Sequence, residues 1–543
     1  MAGAVTLADA LATPQELYFD VDTDHFAARG QSDKFSLRYL VNDEHWDPAT
    51  GPILFYSGNE GDIYSFYYNS GFMTETVAEE TKGLIVFGEH RYFGVSYPFE
   101  PSVAFTPEHN IYLTVEQAMM DYVELIKHVR DVWGMEDKAC IVFGGSYGGM
   151  LAGWLRMKHP QTFQGALAMS APVLYFQGAP TAPETAFGDI ATEDFRAQLD
   201  KAPVLIRESF EMMMDMKTRP DTWAQMDEIF NTCAPNIQSA QDVEYLYEHL
   251  SNGYLYMAMT DYPYPANFLE PMPAWPVAEA VKPFVDIPVQ SAVKQNKISL
   301  PPAVKDVAKY VVEEIVSGVV SAMPIPGIFT DAITTQVLQL ADNFAEKIKN
   351  RKTKINGTSV GGMSSREVEL LTALQDSTSI YFNYTGAYPC TNLSDWEGTG
   401  SLDGYGWNIL ACNQLFMPTA MGEDSMFIPL AIDYEAYTAM CQAQFGLTPQ
   451  YQWALDNFGG YNISRDFLAT TNIVWSNGAL DPWTAGGLRQ NVSADGSSIA
   501  LFIEKAAHHL DLRPPNPADP PSVTEARDIE MTNILKWIAE YQN

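Results

Sequence analysis

The stretch Gly144-Gly145-Ser146-Tyr147-Gly148-Gly149 constrains this chain more than any other. It follows an apolar, β-rich run, Cys140–Phe143, and opens a helical pattern through Met150, Leu151, Trp154, Leu155 and Met157. A strand that turns sharply into a helix through a glycine-flanked serine is the setting of a nucleophile elbow. Glycines surround such a serine because the turn leaves no room for Cβ atoms. Three more short apolar runs precede it, at Phe35–Leu40, Ile53–Tyr56 and Leu84–Phe87, each bounded by Gly, Asp or Asn. Between the last of them and Cys140, residues Val115, Met119, Tyr122, Ile126, Val129 and Trp133 recur at helical spacing. Thr114 and Gln117 form a capping-box pattern before that helix, and Gly134 stops it. Strands alternating with helices predict an α/β fold with a largely parallel sheet.

From Leu174 to Arg465 the pattern changes. Helical stretches such as Glu184–Met216 and Lys305–Val320 dominate, with proline-rich breaks at Tyr262–Pro276 and Pro301–Pro302. Strand, turn and helix return at Asn472–Trp475, at Ile499–Ile503, and in an amphipathic helix from Val523 to Tyr541. At roughly 100–200 residues per domain, a chain of 543 residues accommodates an α/β domain with an insertion. The expected division is 1–173 for the first part of the α/β domain, 174–465 for an inserted helical cap, and 466–543 for the second part.

A serine nucleophile needs a base, and the base needs a carboxylate to orient it. In a fold of this kind the chain order is Ser, then Asp or Glu, then His, each on a loop after a strand. Of nine histidines, only His159, His249, His508 and His509 follow Ser146. His159 ends the elbow helix and His249 sits in a helical, acidic stretch, whereas His508-His509 follows the strand Ile499–Ile503. Ahead of that pair, Ser476-Asn477-Gly478 reads as a turn leading to Asp481, the candidate carboxylate. An oxyanion hole takes the N–H after the nucleophile, here that of Tyr147, and one from an early loop. Gly58 and Asn59, in the loop Gly58-Asn59-Glu60-Gly61-Asp62, are the candidate donors. That loop lacks the Lys-Ser/Thr ending of a phosphate loop, and Glu60 and Asp62 oppose an anion. A second match, Gly357-Thr358-Ser359-Val360-Gly361, shows how weak the bare pattern is. It follows the polar, basic run Lys349–Lys354 and overlaps a glycosylation sequon, so Ser359 is expected in a surface loop.

Charge narrows the partners. Acidic residues number 68 against 32 basic ones, a formal net charge of −36, which repels phosphate backbones and anionic lipid heads. Nucleic acid and charge-driven membrane binding are therefore excluded, and an acidic working compartment fits. The uncharged run Ile315–Thr330 is broken by Pro324 and Pro326 and falls short of the roughly 20 residues a span needs. The N-terminus has no Lys or Arg before Arg29 and no apolar segment of signal-peptide type. Either a signal is missing from this chain or the protein is cytosolic. Five sequons, at Asn356, Asn383, Asn392, Asn462 and Asn491, favour the secretory or lysosomal alternative. The five cysteines contain no CxxC or CxxxxH spacing, so no zinc site is expected.

Taken together, the motifs resemble those of the lysosomal Pro-Xaa carboxypeptidase and dipeptidyl-peptidase II family of serine peptidases. The shared stretches are GNEGD from Gly58, EHRYFG from Glu89, GGSYGGM from Gly144, DYPYPANFL from Asp261, SNGALDPW from Ser476 and AHHLDLR from Ala507. The resemblance implies an α/β-hydrolase fold with a large inserted helical cap domain, and hydrolysis of peptide bonds on the carboxyl side of proline without metal or cofactor. By motif, Ser146 is the nucleophile, Asp481 the orienter and His508 the base. His509 and Arg513 tune the base's pKa, while Met150, Met417 and Trp483 line a proline pocket. The resemblance also implies the disulfides Cys412–Cys441 and Cys233–Cys390, with Cys140 buried and free. Lys294–Lys354 is extra sequence relative to the family. Proline-containing peptides are the expected partners, with a homodimer left open, in a lysosomal or secreted setting. Two other readings are an esterase or lipase on the same fold, and a non-catalytic hydrolase-like binding protein. The DYPYPANFL stretch argues against the first and the complete Ser, Asp and His set against the second.

Overall fold

The computed structural model describes residues 13–28, 30–290, 362–394 and 400–542. The expected helix Lys305–Val320, the run Ile315–Thr330, the extra segment Lys294–Lys354, the Asn356 sequon and Ser359 lie outside the described residues. Two compact units divide the chain. The first comprises 1–184, 401–419 and 432–543, and the second 185–400 and 420–431.

An eight-stranded sheet forms the centre of the first unit. Its strands are β1 (Gln15–Asp22), β2 (Lys34–Asn42), β3 (Ile53–Ser57), β4 (Leu84–Gly88), β5 (Cys140–Gly145), β6 (Gly165–Met169), β7 (Ile473–Gly478) and β8 (Ser498–Ile503). They lie in the order β1-β2-β4-β3-β5-β6-β7-β8. β2 runs antiparallel to both β1 and β4, and all other neighbours are parallel. Every residue of β3 to β7 is buried. Strands covered on both faces are rich in apolar residues, which is why β3, β4, β5 and the start of β7 stand out in the sequence. Ile53, Leu54 and Phe55 are fully enclosed, each side chain contributing roughly 1.5–3 kcal/mol. Two strands escape the sequence reading. β1 is an edge strand whose Glu16 and Asp20 are exposed or half-exposed, and β6 is Gly-Ala-Leu-Ala-Met, poor in β-branched residues.

Helix α1 (Val115–Trp133) crosses from β4 to β5, and α2 (Tyr147–Lys158) from β5 to β6. Thr114 caps α1 by accepting the Gln117 N–H, and Gly134 ends it at φ +66°. The capping box is only half made. Gln117 turns instead to the N-terminal segment, accepting the His25 N–H at 2.9 Å and donating to Asp24 at 2.7 Å. This strand order with these crossovers is that of an α/β-hydrolase.

The helical insertion is narrower than the 174–465 expected from sequence. Residues 174–184, 401–419 and 432–465 belong to the sheet-bearing unit. Asp403 N–H bonds the Glu60 carbonyl at 2.9 Å, and the Cys412–Cys441 disulfide closes within the same unit. The second unit is largely helical. Helix Ser365–Phe382 packs against Ala202–Asp215 and Ala240–Met259, with Arg366 paired to Glu208 at 2.8 Å and Cys233 joined to Cys390. The single helical stretch expected at Glu184–Met216 is two helices, Ala186–Gln198 and Ala202–Asp215, because Pro203 must begin a helix rather than continue one. Among the described residues no helix is long and apolar enough to cross a membrane.

Candidate active site

Ser146 stands between β5 and α2 with φ +59° and ψ −127°, a conformation that costs a non-glycine residue on the order of 1–3 kcal/mol. The surroundings hold it there. Its N–H bonds the Met169 carbonyl at 2.9 Å, tying the turn to the end of β6. The glycines around it are required by close approach. A Cβ on Gly144 would overlap the Gly148 carbonyl, one on Gly148 would lie 2.8 Å from the Ser57 oxygen, and one on Gly149 2.6 Å from the Met169 oxygen. Ser57 fastens the elbow, its single hydroxyl proton lying within reach of the carbonyls of Gly148 at 2.9 Å and Phe143 at 3.1 Å.

Asp481 follows β7 and is completely buried. Its Oδ1 accepts the Trp483 N–H at 3.0 Å, and its Oδ2 lies 2.8 Å from Nδ1 of His508. A carboxylate only accepts, so the His508 proton sits on Nδ1 and Nε2 carries the lone pair of a base. The turn expected at Ser476-Asn477-Gly478 is instead the end of β7. All three residues are buried; Ser476 pairs with both β6 and β8, Asn477 and Gly478 with β8 alone, and chain reversal begins only at Ala479, where that last ladder ends.

His509 takes the left-handed region at φ +38°. Its N–H bonds Ser170 Oγ at 2.8 Å, its ring lies 4.4 Å from that of His508, and it sits flat enough on Gly145 that a Cβ there would be 2.8 Å away. The histidine loop is thereby seated beside the elbow, one residue from Ser146. Burial pushes the His509 pKa well below the usual imidazole value, and the charges of His508 and Arg513 push it further. The charge of Arg513 thus bears on His509. Arg513 itself donates to Asn69 at 3.0 Å. The other two histidines lie elsewhere. His159 caps the far end of α2, and His249 stacks on Phe382 in the second unit.

The oxyanion donors need one correction. The Gly58 N–H is spent on the Gly88 carbonyl at 3.0 Å, and a Cβ there would overlap the same oxygen. Gly58 is therefore a spacer that lets two strand ends approach, and of the two candidate donors Asn59 is left. Tyr147, the first residue of α2, has an N–H with no acceptor inside its helix. The Asn59 side chain is held at both ends, receiving the Tyr56 hydroxyl at 3.3 Å and donating to Glu60 at 2.8 Å. Glu60 is a site residue that sequence reasoning used only as an argument against anions. It is buried, burial raises its pKa, and the charge of His508 acts against that rise. Ser170 is likewise unforeseen, since a serine at φ +46° leaves no signature in sequence.

Of the expected pocket residues, Trp483 and Met417 are half-buried, Trp483 standing edge-on to Tyr175 at 5.5 Å. Met150 is completely buried in the core of the first unit, so it presents no surface. The cysteines pair as Cys233–Cys390 and Cys412–Cys441, with Cα separations of 5.1 and 5.4 Å, and Cys140 is buried and free.

Comparison with known proteins follows the same lines. The family described as serine carboxypeptidase S28 matches residues 22–315 and 335–530. The lysosomal Pro-X carboxypeptidases of Pongo abelii and Homo sapiens are 35% and 34% identical over 527 residues, covering 97% of this chain and 88% of theirs. The prolyl carboxy peptidase like protein 5 of Caenorhabditis elegans is 30% identical over 542 residues, covering 97% of this chain and 90% of its own.

Proposed function

This chain belongs to the serine carboxypeptidase S28 family and is a serine-type peptidase, and from that premise we propose that it releases the residue following proline at the carboxyl end of a peptide. Ser146 Oγ attacks the proline carbonyl carbon while His508 Nε2 takes its proton. The N–H groups of Tyr147 and Asn59 hold the oxyanion. His508 returns the proton to the departing amine, and a water, deprotonated in turn by His508, hydrolyses the acyl-enzyme. The observation that carries this reading is the buried bond from His508 Nδ1 to Asp481 Oδ2, on two loops that end adjacent parallel strands. It leaves Nε2 as the base, on a loop whose next residue rests against the elbow.

Trimming from the carboxyl end is favoured over dipeptide removal by the family and by the relatives' names. The half-buried Met417 and Trp483 are proposed as apolar walls for the proline ring, which brings no charge and no N–H to satisfy. A buried Lys or Asp in the same place would remain unpaired, at a cost on the order of several kcal/mol. A lysosomal or secreted location agrees with these relatives. The test is to offer a blocked Pro-Phe dipeptide beside its Lys-Phe and Asp-Phe counterparts and an Xaa-Pro-coumarin, at pH 5 and pH 7.5. Release of phenylalanine from the proline compound at pH 5 is expected. Equal cleavage after Lys, Asp and Pro refutes the proline assignment, and coumarin release without phenylalanine release reverses the polarity.

A further inference from the structure

We propose that His90 is a positioning residue of the oxyanion hole, acting through the phenol of Tyr147; this rests on the Ser146 mechanism above. His90 follows β4, is completely buried, and belongs to a motif that the proposed chemistry leaves unused. Its Nδ1 lies 2.7 Å from the Arg91 carbonyl and its Nε2 3.0 Å from the Tyr147 hydroxyl. The carbonyl can only accept, so Nδ1 carries the proton and Nε2 has a lone pair for the phenol O–H. One tautomer satisfies both bonds. Burial keeps the ring neutral by lowering its pKa to about 4. The Phe93 ring meets it edge-on at 5.1 Å, which leaves the imidazole little freedom to turn.

Tyr147 has two functions at one Cα. Its N–H, at the first position of α2, is the one the proposed mechanism gives to the oxyanion, and its side chain lies at the first turn of the same helix. The ring is 1% exposed and meets Trp407 edge-on at 5.5 Å. The bond to His90 adds a directional restraint on the buried phenol. Donors count in catalysis only when held in place before the charge appears, so slackening this brace weakens transition-state binding more than substrate binding.

The experiment compares Tyr147→Phe, His90→Leu and His90→Gln with the wild type. The substrate is the blocked Pro-Phe dipeptide and the inhibitor a peptidyl prolyl boronic acid, whose serine adduct places an oxygen in the hole. Tyr147→Phe is expected to lower kcat on the order of tenfold with KM nearly unchanged, and to weaken the boronate by a similar factor. His90→Leu should do the same, while His90→Gln, whose amide oxygen can accept the phenol, should restore most of both. Should His90→Leu not fold, Tyr147→Phe still decides. Unchanged kcat and boronate affinity in Tyr147→Phe, or a loss confined to KM or thermal stability, overturns the proposal. If the wild type itself forms no boronate adduct, the Ser146 mechanism has failed instead.

Discussion

At the scale of single residues, the two serines in Gly-x-Ser-x-Gly settings separate by context. Ser146 is set by a buried strand, a helix and three unsubstitutable glycines. Ser146→Ala is expected to lower kcat by at least about 10³-fold, because removing the nucleophile closes the covalent route. Ser359→Ala is expected to retain full turnover, and comparable losses in both purified variants would dismiss the elbow assignment. The histidines separate by bonding. His508 owns the Asp481 bond, whereas His509 is a buried, neutral spacer against Gly145. His508→Ala should match Ser146→Ala in severity, and His509→Ala should cost far less. The opposite ranking in single-turnover assays would move the base to His509.

At the scale of elements, the site depends on where strands stop. β7 ends at Gly478, whose backbone passes so close to the Ala506 and Ala507 carbonyls that a Cβ would overlap them. This contact brings the Asp481 loop and the His508 loop side by side. Backbone cannot yield as a flexible side chain can, so Gly478→Ala is expected to cost at least about 2 kcal/mol of stability. Urea denaturation with an unchanged slope would measure it, and a loss below 0.5 kcal/mol by order of magnitude would show that the loops have slack. A milder case is Thr114, which caps α1 with a single bond because Gln117 is engaged by Asp24 and His25. Thr114→Ala should cost about 1 kcal/mol.

At the scale of the molecule, buried acids and the surface charge act in one direction. Burial lifts Asp261 from 3.8 to about 7 against one bond from the Val277 N–H. Burial also raises Glu60, Glu89 and Glu530. For an acid whose folded pKa exceeds its unfolded value, stability is whole below the unfolded pKa and is lost as pH rises to the folded one. Asp261 therefore penalises the fold progressively between about pH 4 and pH 7. Asp261→Asn keeps the acceptor and removes the proton. It should stabilise the protein more at pH 7.5 than at pH 5, by a difference on the order of 2 kcal/mol. An equal effect at both pH values would exclude titration as the cause. His90 and His509 act oppositely, since their lowered pKa values withdraw stability as the medium becomes more acidic. Over the same acidic range the two sets oppose each other, and a net charge of −36 adds self-repulsion that fades as carboxylates protonate.

The sequence by itself determined the strands β3, β4 and β5 and the start of β7, the elbow and the order of the three triad candidates. Each is written in neighbouring residues: unbroken apolar runs where both faces are buried, glycines where backbones touch, an acid and a histidine each placed just after a strand. It also set the two cysteine pairs, through motif resemblance rather than spacing. What tertiary structure alone decided are the relations between distant segments. Gly58 is excluded as a donor because its N–H meets Gly88, thirty residues on. Residues 401–419 join the sheet-bearing unit because Asp403 bonds Glu60. β7 runs on through an apparent turn because its ladder with β8 continues to Gly478. Glu60 and His90 stand out only in the folded chain, where burial strips water from them and leaves Asn59 against one, and the Arg91 carbonyl and Tyr147 hydroxyl against the other. Local pattern fixes what a segment can become, and pairing and desolvation by remote residues decide which of its polar groups remain free to do chemistry.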